Sequence, residues 1–170
     1  AEIDFTNIGS LVLYGEYCFA ESGLKEVHLP SNVSFGWSEE LENNADGSYF
    51  FVSCKKLEKI TADCESLPFA LFWCCPNIKS AYLTRNVSEI GNVAFGINQD
   101  NSVMEELTVY GYTASATEEY CAKYGLKFIP VDSAEFNTIT STQSADATVG
   151  MPSAVTLSVA GFPESLKLES

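Results

Sequence analysis

The side chains best suited to nucleophilic, redox or metal chemistry in this sequence are six cysteines, at positions 18, 54, 64, 74, 75 and 121, and a single histidine, His28. Each chemistry makes its own demand on spacing. A zinc knuckle uses C-x-x-C pairs, whereas Cys74 and Cys75 are adjacent. One histidine cannot build a His-rich metal site or a pair of histidine catalysts. Nucleophilic catalysis needs a base in reach of the nucleophile and a group to orient that base. No G-x-S-x-G elbow is present. His28 lies between Val27 and Leu29, so on a strand it points outward and reads as a surface residue. The acidic segment "ENNADGS" at 42–48 resembles a calcium loop but lacks the acidic spacing of an EF-hand. Asn32-Val-Ser and Asn86-Val-Ser match glycosylation acceptors, and both read as turn residues. No catalytic residue, metal or cofactor is expected.

Composition narrows the partners. Acidic residues outnumber basic ones 23 to 9, for a formal charge of −14. Nucleic-acid binding needs a basic footprint, so it is excluded. Docking on anionic lipid is disfavoured for the same reason. No apolar run approaches the roughly 20 residues that span a bilayer, so membrane insertion is not expected, and no basic-then-apolar leader opens the sequence. With 46% hydrophobic residues the chain can build a core.

The elements that position these residues are repeats. "FAESGLKEVHL" at 19–29, "FVSCKKLEKITA" at 51–62 and "FWCCPNIKSAYL" at 72–83 share an aromatic residue, an apolar residue five or six later, then apolar residues three and five beyond that. A fourth copy runs from Phe95 through Met104, Leu107 and Val109, with a three-residue insertion. The key phenylalanines at 19, 51, 72 and 95 are 32, 21 and 23 residues apart. Two of those spacings fall in the roughly 20–29 residue range of a known class of solenoid. Apolar–polar–apolar triplets at 27–29, 60–62, 81–83 and 107–109 read as half-buried strands in one parallel sheet. The aromatic-x-x-Cys pieces read as short helical turns on the opposite side. No coil buries its apolar face alone, so stability comes from stacking.

Two cysteines fall in one repeat column. Cys54 and Cys75 each follow a key Phe by three residues. Neighbouring coils lie about 5 Å apart, so a disulfide is within reach. A stacked column is also a natural place for free cysteine as a small hydrophobe, and that is the reading taken. Cys18 occupies the slot of Ala94 and is expected to be buried.

"GEYCFAESGLKEVHLPSNV", "FVSCKKLEKI" and "NVSEIGNVAF" resemble the BspA-type leucine-rich repeats of bacterial surface proteins. The resemblance covers about Leu11 to Val131. It implies an α/β leucine-rich-repeat solenoid of about four coils, and an adhesion or interaction role at the bacterial cell surface. "ATEEYCAKYGLKFIPV" at 116–131 is similar to the segment that closes such arrays. Residues 117–125 read as a helix N-capped by Thr117, with Tyr120 and Tyr124 on one face and ended by Gly125, followed by a final strand.

The expected organisation is a repeat domain over 1–132, with its cap at 116–131, and a β-rich segment over 133–170. That second segment is Ser/Thr-rich, with alternation at 155–159, "VTLSV". It resembles the opening strands of a bacterial immunoglobulin-like module, here truncated; a linker with an incidental hairpin is the alternative. Either way the chain reads as a piece of a larger modular surface protein. An acidic insertion at 34–48 carries Trp37 and reads as a loop with a short helix.

On the outer strand face, His28, Thr61, Tyr82 and Thr108 are expected in one row, with Tyr110 beside them. These five are the candidate ligand-binding residues, Tyr82 and Tyr110 as anchors. The expected partner is an extracellular or host protein or a glycan, basic or neutral, met by a monomeric chain. A structural spacer that holds other modules away from the cell is the second reading.

Overall fold

Alternation dictates the main sheet. Each of the segments Lys59–Ala62, Ser80–Leu83 and Thr108–Gly111 buries its second and fourth residues and leaves the first and third at the surface. One face of each strand therefore turns to the core, and the other to solvent. In the computed structural model, which describes residues 2–4, 9–13, 15, 17–36 and 49–132, these segments lie side by side.

The strands are β1 (Glu2–Asp4), β2 (Leu11–Leu13), β3 (Glu26–Leu29), β4 (Val33–Phe35), β5 (Lys59–Ala62), β6 (Ser66–Leu67), β7 (Ser80–Leu83), β8 (Glu89–Ile90), β9 (Thr108–Gly111) and β10 (Lys127–Pro130). The one helix among the described residues is α1 (Ala116–Tyr124). A six-stranded parallel sheet runs in the order β1-β3-β5-β7-β9-β10, and two short parallel pairs, β2-β4 and β6-β8, lie beside it. The sheet thus has two strands beyond the four copies read from sequence: β1 at one edge, and β10 from the cap.

On the remaining side the chain turns around the key phenylalanines. The residue two before each is left-handed: Tyr17, Tyr49, Ala70 and Val93. The residues two after the first three, Glu21, Ser53 and Cys74, are left-handed as well. An α-helix does not tolerate left-handed residues in this rhythm, so the aromatic-x-x-Cys pieces are paired turns and not the short helical turns expected. Their backbone hydrogen bonds run to the neighbouring repeat. Phe19 N–H donates to Phe50 O at 2.8 Å, Phe51 to Leu71 at 3.0 Å and Phe72 to Ala94 at 2.7 Å. Inside these turns the rings stack, Phe19 on Phe51 and Phe51 on Phe72, each at 5.0 Å between centroids.

Gly91 shows how closely the repeats approach. A Cβ there would run into the backbone of Pro68 and Phe69.

The cap differs from expectation by two residues. Ser115, not Thr117, is the N-cap of α1; its hydroxyl accepts from Glu118 N–H while the Glu118 carboxylate accepts from Ala114 N–H at 2.7 Å. This is the reciprocal logic of a capping box. Thr117 is instead fully buried against Gly111, and its hydroxyl has no hydrogen-bond partner. Gly125 closes the helix in the left-handed conformation, as the sequence implied.

Contacts divide the chain into Ala1–Val131 and Asp132–Ser170. The expectations for the tail at 133–170 and for residues 37–48 of the insertion lie outside the described residues.

Candidate binding face

Register decides which residues share the outer face. His28 pairs with Thr61, Thr61 with Tyr82, Tyr82 with Tyr110, and Tyr110 with Ile129. A second outward row runs Glu26, Lys59, Ser80, Thr108, Lys127. Thr108 therefore belongs to the row beside Ser80, a correction to the expected line of His28, Thr61, Tyr82 and Thr108. The cause lies in the fourth repeat. Phe95 to Met104 spans nine residues where Phe72 to Cys75 spans three, so the insertion is longer than the three residues expected. It forms a small hairpin, with an antiparallel bridge from Ile97 to Val103. Leu107 to Val109 is then one residue shorter than Ile78 to Ala81. Together these changes slip β9 by two residues against the sequence alignment.

The slip places Tyr110 directly beside Tyr82. Their rings stack at 4.5 Å between centroids and 5° between planes. Strand side chains stand roughly perpendicular to a sheet, so each ring covers one face of the other. Partial burial, and then the neighbouring Tyr82, raise the Tyr110 phenol above its ordinary range, while Lys127 works in the other direction. At the strand ends Arg85 lies over the Tyr112 ring, 4.4 Å from its centroid.

The other half of the face is polar and tied to itself. Lys59 and Glu26 pair at 3.5 Å across β5 and β3. The Asp63 carboxylate accepts from the Thr84 hydroxyl and from Asn86 Nδ2 at 2.9 Å. His28 is half-buried in this row, more enclosed than the surface residue the sequence implied.

The cysteines sit elsewhere. Cys54 donates to Phe19 O at 3.1 Å, and Cys75 to Phe51 O at 3.0 Å. Each thiol thus binds the carbonyl of the preceding key Phe, while filling a fully buried slot. The contact with the Cys54 thiol, together with burial, holds Cys75 above the ordinary thiol range. No disulfide joins any of the six cysteines, all of which lie among the described residues. Cys18 is exposed, against expectation. Cys74 borders an open concavity of about 430 Å³ lined also by Ser53, Lys55, Pro76, Asn98, Gln99 and Asp100. Burial raises its thiol, the reverse of what activates a nucleophilic cysteine. Among the described residues, no three His, Cys, Asp or Glu side chains converge as metal ligands. No described helix is long and apolar enough to cross a membrane.

A sheet of short parallel strands with few helices fits a leucine-rich-repeat α/β fold. A family model described as BspA type leucine rich repeat region matches residues 2–109 and 44–139, in six copies. The chain belongs to this family. Searches of curated proteins and of solved structures returned no match. For a BspA-type array, Tyr120 and Tyr124 are the residues that sequence reasoning undervalued. Both were placed on one helix face, and their rings do lie 4.7 Å apart. Their hydroxyls bond the backbone of the last turn, however, at Phe95 and Val93. Only the Ser-x-x-Glu spacing of the N-cap at Ser115 and Glu118 was available as a sequence signal for how α1 seats on that turn.

Proposed function

We propose that this chain is a non-enzymatic interaction module of a bacterial surface protein, and that it binds a protein partner through the outer face of its six-stranded sheet. One observation carries the reading: Tyr82 and Tyr110 are in register and stacked on an outward face, where hydrogen bonds and pleat have already fixed them. Ordered aromatic side chains lose little entropy on binding and are enriched at interface hot spots. Family membership supports an interaction role, because stacked repeats of this kind expose extended surfaces used for binding. His28, Thr61 and Thr108 form the polar surround of the tyrosine pair.

The test is a binding screen of the full chain over immobilised extracellular-matrix proteins, mucins and a glycan panel, with the Tyr82→Ala/Tyr110→Ala double variant alongside. A hit lost in the variant supports the reading. A hit retained by it moves the site away from the tyrosine pair. No hit on any surface favours a spacer role.

A further inference from the structure

The repeat column three residues after each key phenylalanine runs Ser22, Cys54, Cys75 across three successive turns. The Ser22 hydroxyl and the Cys54 thiol lie 3.2 Å apart. The Cys54 and Cys75 thiols are in turn within hydrogen-bond reach of each other. The backbone beneath the two cysteines is tied together as well. Phe51 N–H donates to Leu71 O, and Ser53 N–H to Trp73 O, each at 3.0 Å. Segments bonded in this way lie about 5 Å apart. That is inside the range of roughly 4.4–6.8 Å between Cα atoms that a disulfide spans.

The two thiols differ in acidity. A thiolate at Cys54 accepts from the Cys75 thiol and, to a lesser degree, from Ser22. These contacts hold Cys54 below the ordinary thiol range, although burial opposes them. The same contact and burial raise Cys75. A readily ionised thiol beside a second one that keeps its proton is the arrangement of an attacking and a resolving cysteine.

We propose that Cys54 and Cys75 form a peroxide-sensitive pair, which two-electron oxidation converts into a disulfide that clamps the Phe51 turn to the Phe72 turn. The pair lies on the turns and not on the outer sheet face, so it is independent of the binding role. Hydrogen peroxide is the oxidant, small enough to enter the column when a turn opens. The Cys54 thiolate first attacks one peroxide oxygen. An S–O bond forms, the O–O bond breaks, and the departing hydroxide takes up the proton lost by Cys54 and leaves as water. The Cys75 sulfur then attacks the sulfenic sulfur of Cys54. The S–S bond forms, the S–O bond breaks, and the second hydroxide leaves as water with the Cys75 proton. Two thiols thus lose two electrons, and one peroxide is reduced to two waters. The clamp closes a loop over residues 55–74, which removes freedom from the unfolded chain. Phe19 O and Phe51 O lose their thiol donors in exchange. A thiol is a weak donor, so the clamped array is the more stable one.

The experiment is oxidation of the reduced full chain with hydrogen peroxide, in buffer and in urea below the unfolding midpoint. Intact mass and peptide mapping without reduction follow. The expected product has lost two hydrogen atoms and joins the Cys54 peptide to the Cys75 peptide. Cys75→Ser should abolish the link and leave Cys54 carrying added oxygen. Cys64→Ser and Cys74→Ser, which alter the other thiols of the same tryptic peptide, should leave the link in place. The urea midpoint of the linked chain should shift upward and return with dithiothreitol. A fully unfolded sample provides the reference, and the Cys54–Cys75 link should be enriched severalfold over it. Oxygen added to wild-type Cys54 without a link overturns the proposal, as does a link from Cys54 to Cys64 or Cys74. So do enrichment no greater than in the unfolded chain, a midpoint that stays or falls on linking, and the absence of any link under both conditions.

Discussion

The hydroxyl of Tyr120 does for Phe95 the work that a cysteine thiol and a backbone carbonyl do for the earlier key phenylalanines. It donates to Phe95 O at 2.8 Å and accepts from Phe95 N–H at 3.1 Å. In the preceding turns the Phe N–H is served by main chain and the Phe carbonyl by the cysteine of the next repeat: Phe51 N–H donates to Leu71 O, and Phe51 O accepts from the Cys75 thiol. The Tyr120 ring also stacks on Phe95, with centroids 4.8 Å apart, and extends the phenylalanine ladder by one aromatic. The cap thus closes the array with a side chain that imitates the next repeat in both shape and hydrogen bonding.

Tyr120→Phe keeps the ring and removes the hydroxyl. Two buried backbone groups of Phe95 then lose their partner, for an expected loss of about 2–4 kcal/mol. Tyr124→Phe, whose hydroxyl accepts from Val93 N–H at 3.2 Å nearer the surface, should lose about 1 kcal/mol. Urea unfolding of the two variants and the wild type checks the order. An equal loss in both would mean that the Phe95 groups find another partner.

Gly91→Ala places a methyl group against the backbone of Pro68 and Phe69. Backbone cannot rotate away as a side chain does, so the repeats must part. Overpacking of this kind costs about 1–3 kcal/mol. Thermal unfolding by circular dichroism reads the shift.

Stability should fall in alkali. Burial is the main cause that pushes the Cys64 and Cys121 thiols up to about 12, against about 8.5 in an unfolded chain. Below pH 8.5 both states hold the proton and the full stability is present. Above it the unfolded state loses the proton while the folded state keeps it, so stability declines as pH rises toward 12. At pH 10 each thiol accounts for about 2 kcal/mol of that loss. Burial also raises the Tyr120 phenol, which adds to the decline above about pH 10. Denaturant midpoints measured between pH 7 and pH 10 test the sign, and Cys64→Ala/Cys121→Ala should flatten the profile.

The thiols should also separate by reactivity. Cys18 is exposed and Cys74 half-buried, whereas Cys54, Cys64, Cys75 and Cys121 are buried. With a chromogenic disulfide reagent at neutral pH, Cys18 reacts first and Cys74 more slowly. The four buried thiols wait for opening of the array. Peptide mapping of the labelled sites identifies them.

Much of the repeat was legible because its signal is local. The alternation at Val27–Leu29, Ile60–Ala62 and Ala81–Leu83 placed three strands in their observed register. β9 was misplaced by two residues, because the hairpin at 97–103 and the shortened step from Leu107 to Val109 offset each other only in part. A spacing count in sequence cannot see where an insertion is absorbed. The turns were misread because Ser53 and Cys74 adopt left-handed conformations that composition does not announce. The cap tyrosines were seen as a helix face. Their bonds to Phe95 and Val93 span 25 and 31 residues and appear only when the array is stacked.

The central claim is that the sheet face around Tyr82 and Tyr110 is the surface that meets a partner. Hydroxyl-radical footprinting of the full chain, alone and with a protein captured in the binding screen, tests it most directly. Tyr17, 54% exposed and outside the six-stranded sheet, serves as the internal reference. The account predicts that Tyr82, Tyr110 and Ile129 are protected by the bound protein while Tyr17 is not. Protection of Tyr17 with Tyr82 and Tyr110 left unprotected would contradict it.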